Sequence, residues 1–137
     1  MNNITLFNQA CAVIFAKLYQ EFPLPLYFDQ GEIGFYERWD QSDQANLRRR
    51  ILHATLIFLK EEGFITFKFQ HEANALVHEA RLTSKGLTKL QRIPEGIQDN
   101  SKSLIDQLLE ATSTVGDKTT STALAVTVKH FISLILG

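Results

Sequence analysis

Apolar residues along this chain change their period several times, and each change marks an element. Phe7, Cys11, Ile14, Leu18 and Phe22 recur at helical steps, with Ala10, Phe15 and Tyr19 widening the stripe. That spacing predicts an amphipathic helix over 4–22. Pro23 and Pro25 end it, since neither ring continues the hydrogen-bond ladder. Leu24 to Phe28 predicts an extended run with room for one short strand, closed by a turn at Asp29-Gln30-Gly31. Ile33 to Trp39 is aromatic, with no period that assigns it a state.

A second long helix is expected after Asp40. Ser42 or Asp40 can cap it, and Asp43 suits the positive end of its dipole. On a helical wheel Leu47, Ile51, Ala54, Thr55, Phe58 and Leu59 share a broad apolar face. Asn46, Arg49, Arg50, His53, Lys60 and Glu61 lie opposite, and Arg48 falls on the flank with Leu52 and Leu59. Gly63 is the expected left-handed terminator. The period then becomes two, with Phe64, Thr66, Lys68 and Gln70 opposing Ile65, Phe67 and Phe69. His71 to Asn74 reads as a loop, and Leu76 to Leu82 as the returning strand of a hairpin. Thr83 or Ser84 caps a helix through Leu87 and Leu90, which Pro94 and Gly96 close.

Two further helices are expected over 101–112 and 119–136. Leu104, Leu108 and Ala111 form the first stripe, and Leu124, Val128, Phe131 and Ile135 the second. The second stripe needs burial, against the N-terminal helix or across a dimer. The fold class is mainly α with a small β-hairpin, an α+β arrangement in one domain spanning 1–137.

Composition changes this picture little. With 45% apolar and 21% charged side chains, the 137 residues suit an ordinary globule. The single cysteine, Cys11, excludes an internal disulfide and reads as a small buried hydrophobe. A reducing, cytoplasmic setting is expected from it, together with an N-terminus unlike a signal peptide. The most apolar stretch, Ala123 to Leu136, is broken by Lys129 and His130, so no membrane partner is expected. Charge is uneven: residues 1–42 sum to −3, residues 43–92 to +4 and residues 93–137 to −2. Only the middle third hints at an anionic partner.

Helix, hairpin and helix with short joints is a winged-helix order, and two local motifs sharpen it. Phe58-Leu59-Lys60-Glu61-Glu62-Gly63-Phe64-Ile65 resembles the helix-to-wing joint of MarR- and PadR-type transcriptional regulators. Ala80-Arg81-Leu82-Thr83-Ser84-Lys85-Gly86-Leu87 is similar to their second wing strand and following cap. The resemblance covers Leu47 to Gln91. It implies a winged-helix core over about 42–92, with terminal helices 4–22, 101–112 and 119–136 packed on it or pairing a homodimer.

By that resemblance the helix before the wing would read double-stranded DNA. Arg48, Arg49, Arg50 and His53 would face the groove or its phosphates, and Lys68 with His71 would decorate the wing. The sequence departs from the pattern in several places. Asp40 and Asp43 make the helix start acidic, Gly31 and Gly34 interrupt the preceding helix, and Glu72 and Glu79 sit near the hairpin tip.

Other chemistry finds no constellation. His53, His71, His78 and His130 lie on separate elements without ligand spacing, although His71 and His78 could approach across the hairpin. Gly116-Asp117-Lys118-Thr119 matches only the end of a phosphate loop and lacks its first glycine. No nucleophile–base set shares a loop, so neither catalysis nor a cofactor is expected. A DNA-binding regulator, dimeric through its terminal helices, therefore competes with a protein-interaction module of accessory, adaptor or immunity type. A third reading places a small effector among Phe35, Tyr36 and Trp39.

Overall fold

The N-terminal stripe forms helix α1, Asn3–Glu21, capped by Asn2, whose side chain accepts the Thr5 amide at 2.8 Å. The computed structural model describes residues 2–70, 73–92, 103, 105, 106, 109, 129 and 132–137. Burial in α1 runs almost all round the helix: Leu6, Ala10, Cys11, Ala12, Ile14, Phe15, Ala16 and Leu18 are buried, as are Asn8 and Gln9. A helix covered on every side is a central element rather than a surface one.

Strand β1, Leu26–Asp29, starts only after Pro25, whose nitrogen has no hydrogen to donate. It pairs antiparallel with β3, Ala73–Leu82, which pairs in turn with β2, Ile65–Gln70, giving the order β1-β3-β2. Ala73 and Asn74 therefore belong to the strand rather than to the expected loop, and His71 lies outside the described residues. On the inner face Phe28, Ile65, Phe67, Val77, Ala80 and Leu82 are buried, while Thr66, Lys68 and Arg81 are exposed.

Val77 and Ala80 are three residues apart, so in a regular strand they would point to opposite faces. A bulge at Glu79, with φ 56°, inserts the residue that returns both to the core. The register shows it on both sides: Leu26 and Phe28 oppose Ala80 and Val77, and Thr66 and Lys68 oppose Arg81 and His78.

Helix α2, Asp43–Glu61, is capped by Ser42, which accepts the Ala45 amide at 3.2 Å. Asp40 instead holds the Ser42 amide at 2.8 Å. The buried stripe is Ala45, Leu52, Thr55, Leu56 and Leu59, rotated from the face that the wheel predicts. Leu47 and Ile51 are half-buried, whereas Ala54 and Phe58 are exposed. Apolar residues occupy well over half the circumference of α2, so hydrophobicity alone leaves its orientation open. Contacts with both α1 and β2 decide it. The Phe58 ring meets the Phe7 ring edge-on, with centroids 5.4 Å apart.

Gly63 ends this helix at φ 83°, as expected. Thr83 caps α3, Ser84–Gln91, by accepting the Gly86 amide at 3.1 Å. Its hydroxyl donates to the carbonyls of Gly63 and Phe64, which ties the wing's exit to its entry.

The layout is α+β, of winged-helix type, and its core reaches beyond 42–92. β1 completes the sheet and α1 fills the centre. Toward the C-terminus, Ile105, Ile132 and Ile135 are buried in the same apolar cluster. Residues 132–136 are helical. Most of the two expected C-terminal helices, with Phe131, Pro94 and Gly96, lies outside the described residues. So do His130 and Gly116 to Thr119.

Candidate nucleic-acid interface

The winged-helix layout directs attention to α2 and the segment before it. Where a helix-turn-helix has its first helix, this chain has a single 3-10 turn, Gln30–Ile33, ended by Gly34 at φ 86°. Residues 35–42 then run irregularly to the cap of α2. A non-helical segment has carbonyls without intrinsic partners, and Arg48 and Arg49 supply them.

Arg48 is half-buried on the side of α2 that carries Leu52 and Leu59, as the wheel expects. Its Nη1 donates to the Phe35 carbonyl at 3.3 Å, and its guanidinium covers the Phe35 ring at 4.9 Å. Burial lowers the pKa of this side chain from its usual value, but an arginine stays charged throughout the physiological range. Arg49 gathers the rest of the segment. Its Nη2 donates to the carbonyls of Glu37 at 3.2 Å, Arg38 at 3.0 Å and Asp40 at 2.6 Å. Its Nη1 donates to Asn46 Oδ1 at 2.6 Å, and the guanidinium lies 4.8 Å from the Tyr36 ring. Burial and the Asp29 carboxylate raise the pKa of Tyr36, with Arg49 and Arg38 opposing them.

Arg50 is different. It is exposed and makes no hydrogen bond or ion pair among the described residues.

His53 has partners within the fold. Its ring stacks on Phe69 at 5.0 Å with 17° between planes, and its Nδ1 meets Gln30 Nε2 at 3.0 Å. Gln30 is buried, so this contact joins the 3-10 turn to α2 and β2. On the wing, Lys68 pairs with Glu79 at 3.1 Å, both side chains at least half exposed. Such a pair contributes little stability but cancels local charge. Lys60 and Lys85 lie over the Phe67 and Phe64 rings, and Lys85 also donates to the Glu62 carbonyl at 2.8 Å.

Of the residues expected to face DNA, Arg48, Arg49, His53 and Lys68 thus have intramolecular partners, Arg50 is free in the described structure, and His71 lies outside it. Sequence reasoning did not anticipate the capture of the segment by Arg48 and Arg49, because backbone carbonyls occur at every residue and leave no pattern.

The aromatic trio differs in exposure. Phe35 is buried, Tyr36 is half-buried under Arg49, and Trp39 is 83% exposed. Among the described residues no three His, Cys, Asp or Glu side chains converge as metal ligands, and no helix is long and apolar enough to cross a membrane. No family model, curated protein or solved structure matches the chain.

Proposed function

We propose that this chain is a non-catalytic protein-interaction module built on a winged-helix scaffold. One observation carries the reading: three of the cations assigned to a DNA contact already hold the protein's own backbone or a carboxylate. Arg48 and Arg49 bind carbonyls of residues 35–40, and Lys68 faces Glu79. Non-specific affinity for duplex DNA scales with the number of phosphates neutralised. Retargeting these arginines to phosphate would strip the segment's carbonyls of their donors. The outward side of α2 supports the same reading, since it presents Ala54 and Phe58 beside the half-buried Leu47 and Ile51.

A DNA-binding regulator is the second reading. The winged-helix layout and the free Arg50 favour it. Heparin chromatography and titration of a labelled DNA duplex separate the two. We expect no retention at low salt and no binding that weakens with salt. Steeply salt-dependent binding that Arg50→Ala abolishes would establish the DNA reading instead.

A further inference from the structure

We infer that residues 35–42 form a preorganised docking tip, anchored by Trp39, for a protein that offers a basic rim around an apolar cleft. The inference rests on the interaction-module reading and names the site and chemistry of its partner. A lone exposed apolar side chain is ordinary on a protein surface. This one differs in how it is presented.

Trp39 is the only tryptophan of the chain and is 83% exposed. The backbone beneath it is fixed from several sides. Arg49 binds the carbonyls of residues 37, 38 and 40, flanking Trp39 on both sides. Arg48 binds the Phe35 carbonyl, and the Phe35 side chain is buried below. Arg38 pairs with Asp29 at 3.2 Å, and its guanidinium lies 5.8 Å from the Trp39 ring centre. Asp40 accepts the Ser42 amide, which locks the far end to the start of α2. A large amphipathic ring held on a rigid loop has little conformational freedom left to lose on binding. Trp, Tyr and Arg, the types gathered here, are those enriched at the energetic centres of interfaces.

Charge selects the partner. Residues 29–43 contain Asp29, Glu32, Glu37, Asp40 and Asp43 against one base, Arg38. Glu32, Glu37, Asp40 and Asp43 are exposed and form no ion pair among the described residues. The Ser42 amide holds the Asp40 carboxyl below its usual pKa, so it stays ionised. Even with Arg48 and Arg49 turned onto this segment, its five carboxylates outnumber three guanidinium groups, an excess that repels phosphate backbones and complements a cationic protein surface.

The lone tryptophan makes the test direct. Random displayed peptides are selected on the full chain, and the enriched ones are titrated while Trp39 emission is followed. We expect peptides that combine Lys or Arg with aliphatic or aromatic residues, shift the emission to the blue and shield it from acrylamide. Trp39→Ala should weaken them at least about 30-fold, the loss expected of an anchor residue, with an unchanged melting temperature. Glu37→Gln with Asp40→Asn should slow their association and flatten its salt dependence. Peptides that bind Trp39→Ala as tightly as the parent, acidic peptides, or a selection that enriches nothing would each overturn this inference. Salt-dependent duplex binding through Arg50 would overturn the underlying reading instead.

Discussion

A methyl group at position 86 would meet the backbone carbonyl oxygen of Phe64. Helix propensity alone favours Gly86→Ala by roughly 1 kcal/mol inside α3. The overlap reverses that sign, because a peptide carbonyl at the wing's entry has nowhere to go. A net loss of about 1–3 kcal/mol is expected in chemical denaturation. Gly63 is a different case: its surroundings are open but its φ is 83°. Gly63→Val should cost about 1 kcal/mol or more through backbone strain alone, and a melting temperature equal to the parent's would refute it. Glu79 is strained in the opposite sense, a non-glycine at φ 56° whose exposed pair with Lys68 contributes little. Glu79→Gly should raise stability by about 0.5–1 kcal/mol, unless the bulge closes and Val77 leaves the core.

At the scale of elements, Gly63 and Thr83 are legible in sequence because each acts within a few residues of itself, whereas Gly86 matters through the distant Phe64 carbonyl. A positive φ, a cap and a helix end are local chemistry with few residue types to choose from. The orientation of α2 is not legible, because Leu47, Ile51, Ala54 and Phe58 compete with Ala45, Leu52, Leu56 and Leu59 for the core. Only the positions of α1 and the sheet decide between the two stripes. The roles of Arg48 and Arg49 stay hidden for a related reason: their acceptors are main-chain carbonyls ten or so residues away. Arg49→Ala should therefore raise amide exchange across residues 36–41 and lower the melting temperature by a few degrees, equivalent to about 1–2 kcal/mol. Arg50→Ala should change neither. Equal exchange in the two variants would mean that Arg49 does not hold the segment.

For the whole molecule, the apolar pattern foretold the α+β class and the hairpin but undervalued the first helix. α1 is an interior strut, since Phe15, Leu6, Ile14 and Leu18 are among the largest fully buried side chains. Ile105, Ile132 and Ile135 are also buried within the single chain. These three side chains, covered within one chain, do not themselves demand a second subunit. Light scattering should accordingly return the mass of one chain at micromolar concentration. A stable dimer would mean that another face pairs, and Ala54 with Phe58 on α2 would be the first place to look.

The buried thiol of Cys11, midway along that strut, supplies an internal clock. No solvent reaches it, and desolvation raises its pKa, so thiolate chemistry cannot proceed while α1 is in place. Loosening of the segment around Trp39, or fraying at Asn2, leaves it covered. The rate at which a thiol reagent modifies the native protein therefore counts openings of the core and ignores motions of the rim. That rate should rise with urea along the slope of global unfolding. Trp39 fluorescence, by contrast, should report the rim alone. The chain thus has two single-copy reporters of opposite kinds, one residue for the stability of the scaffold and one for the segment it displays.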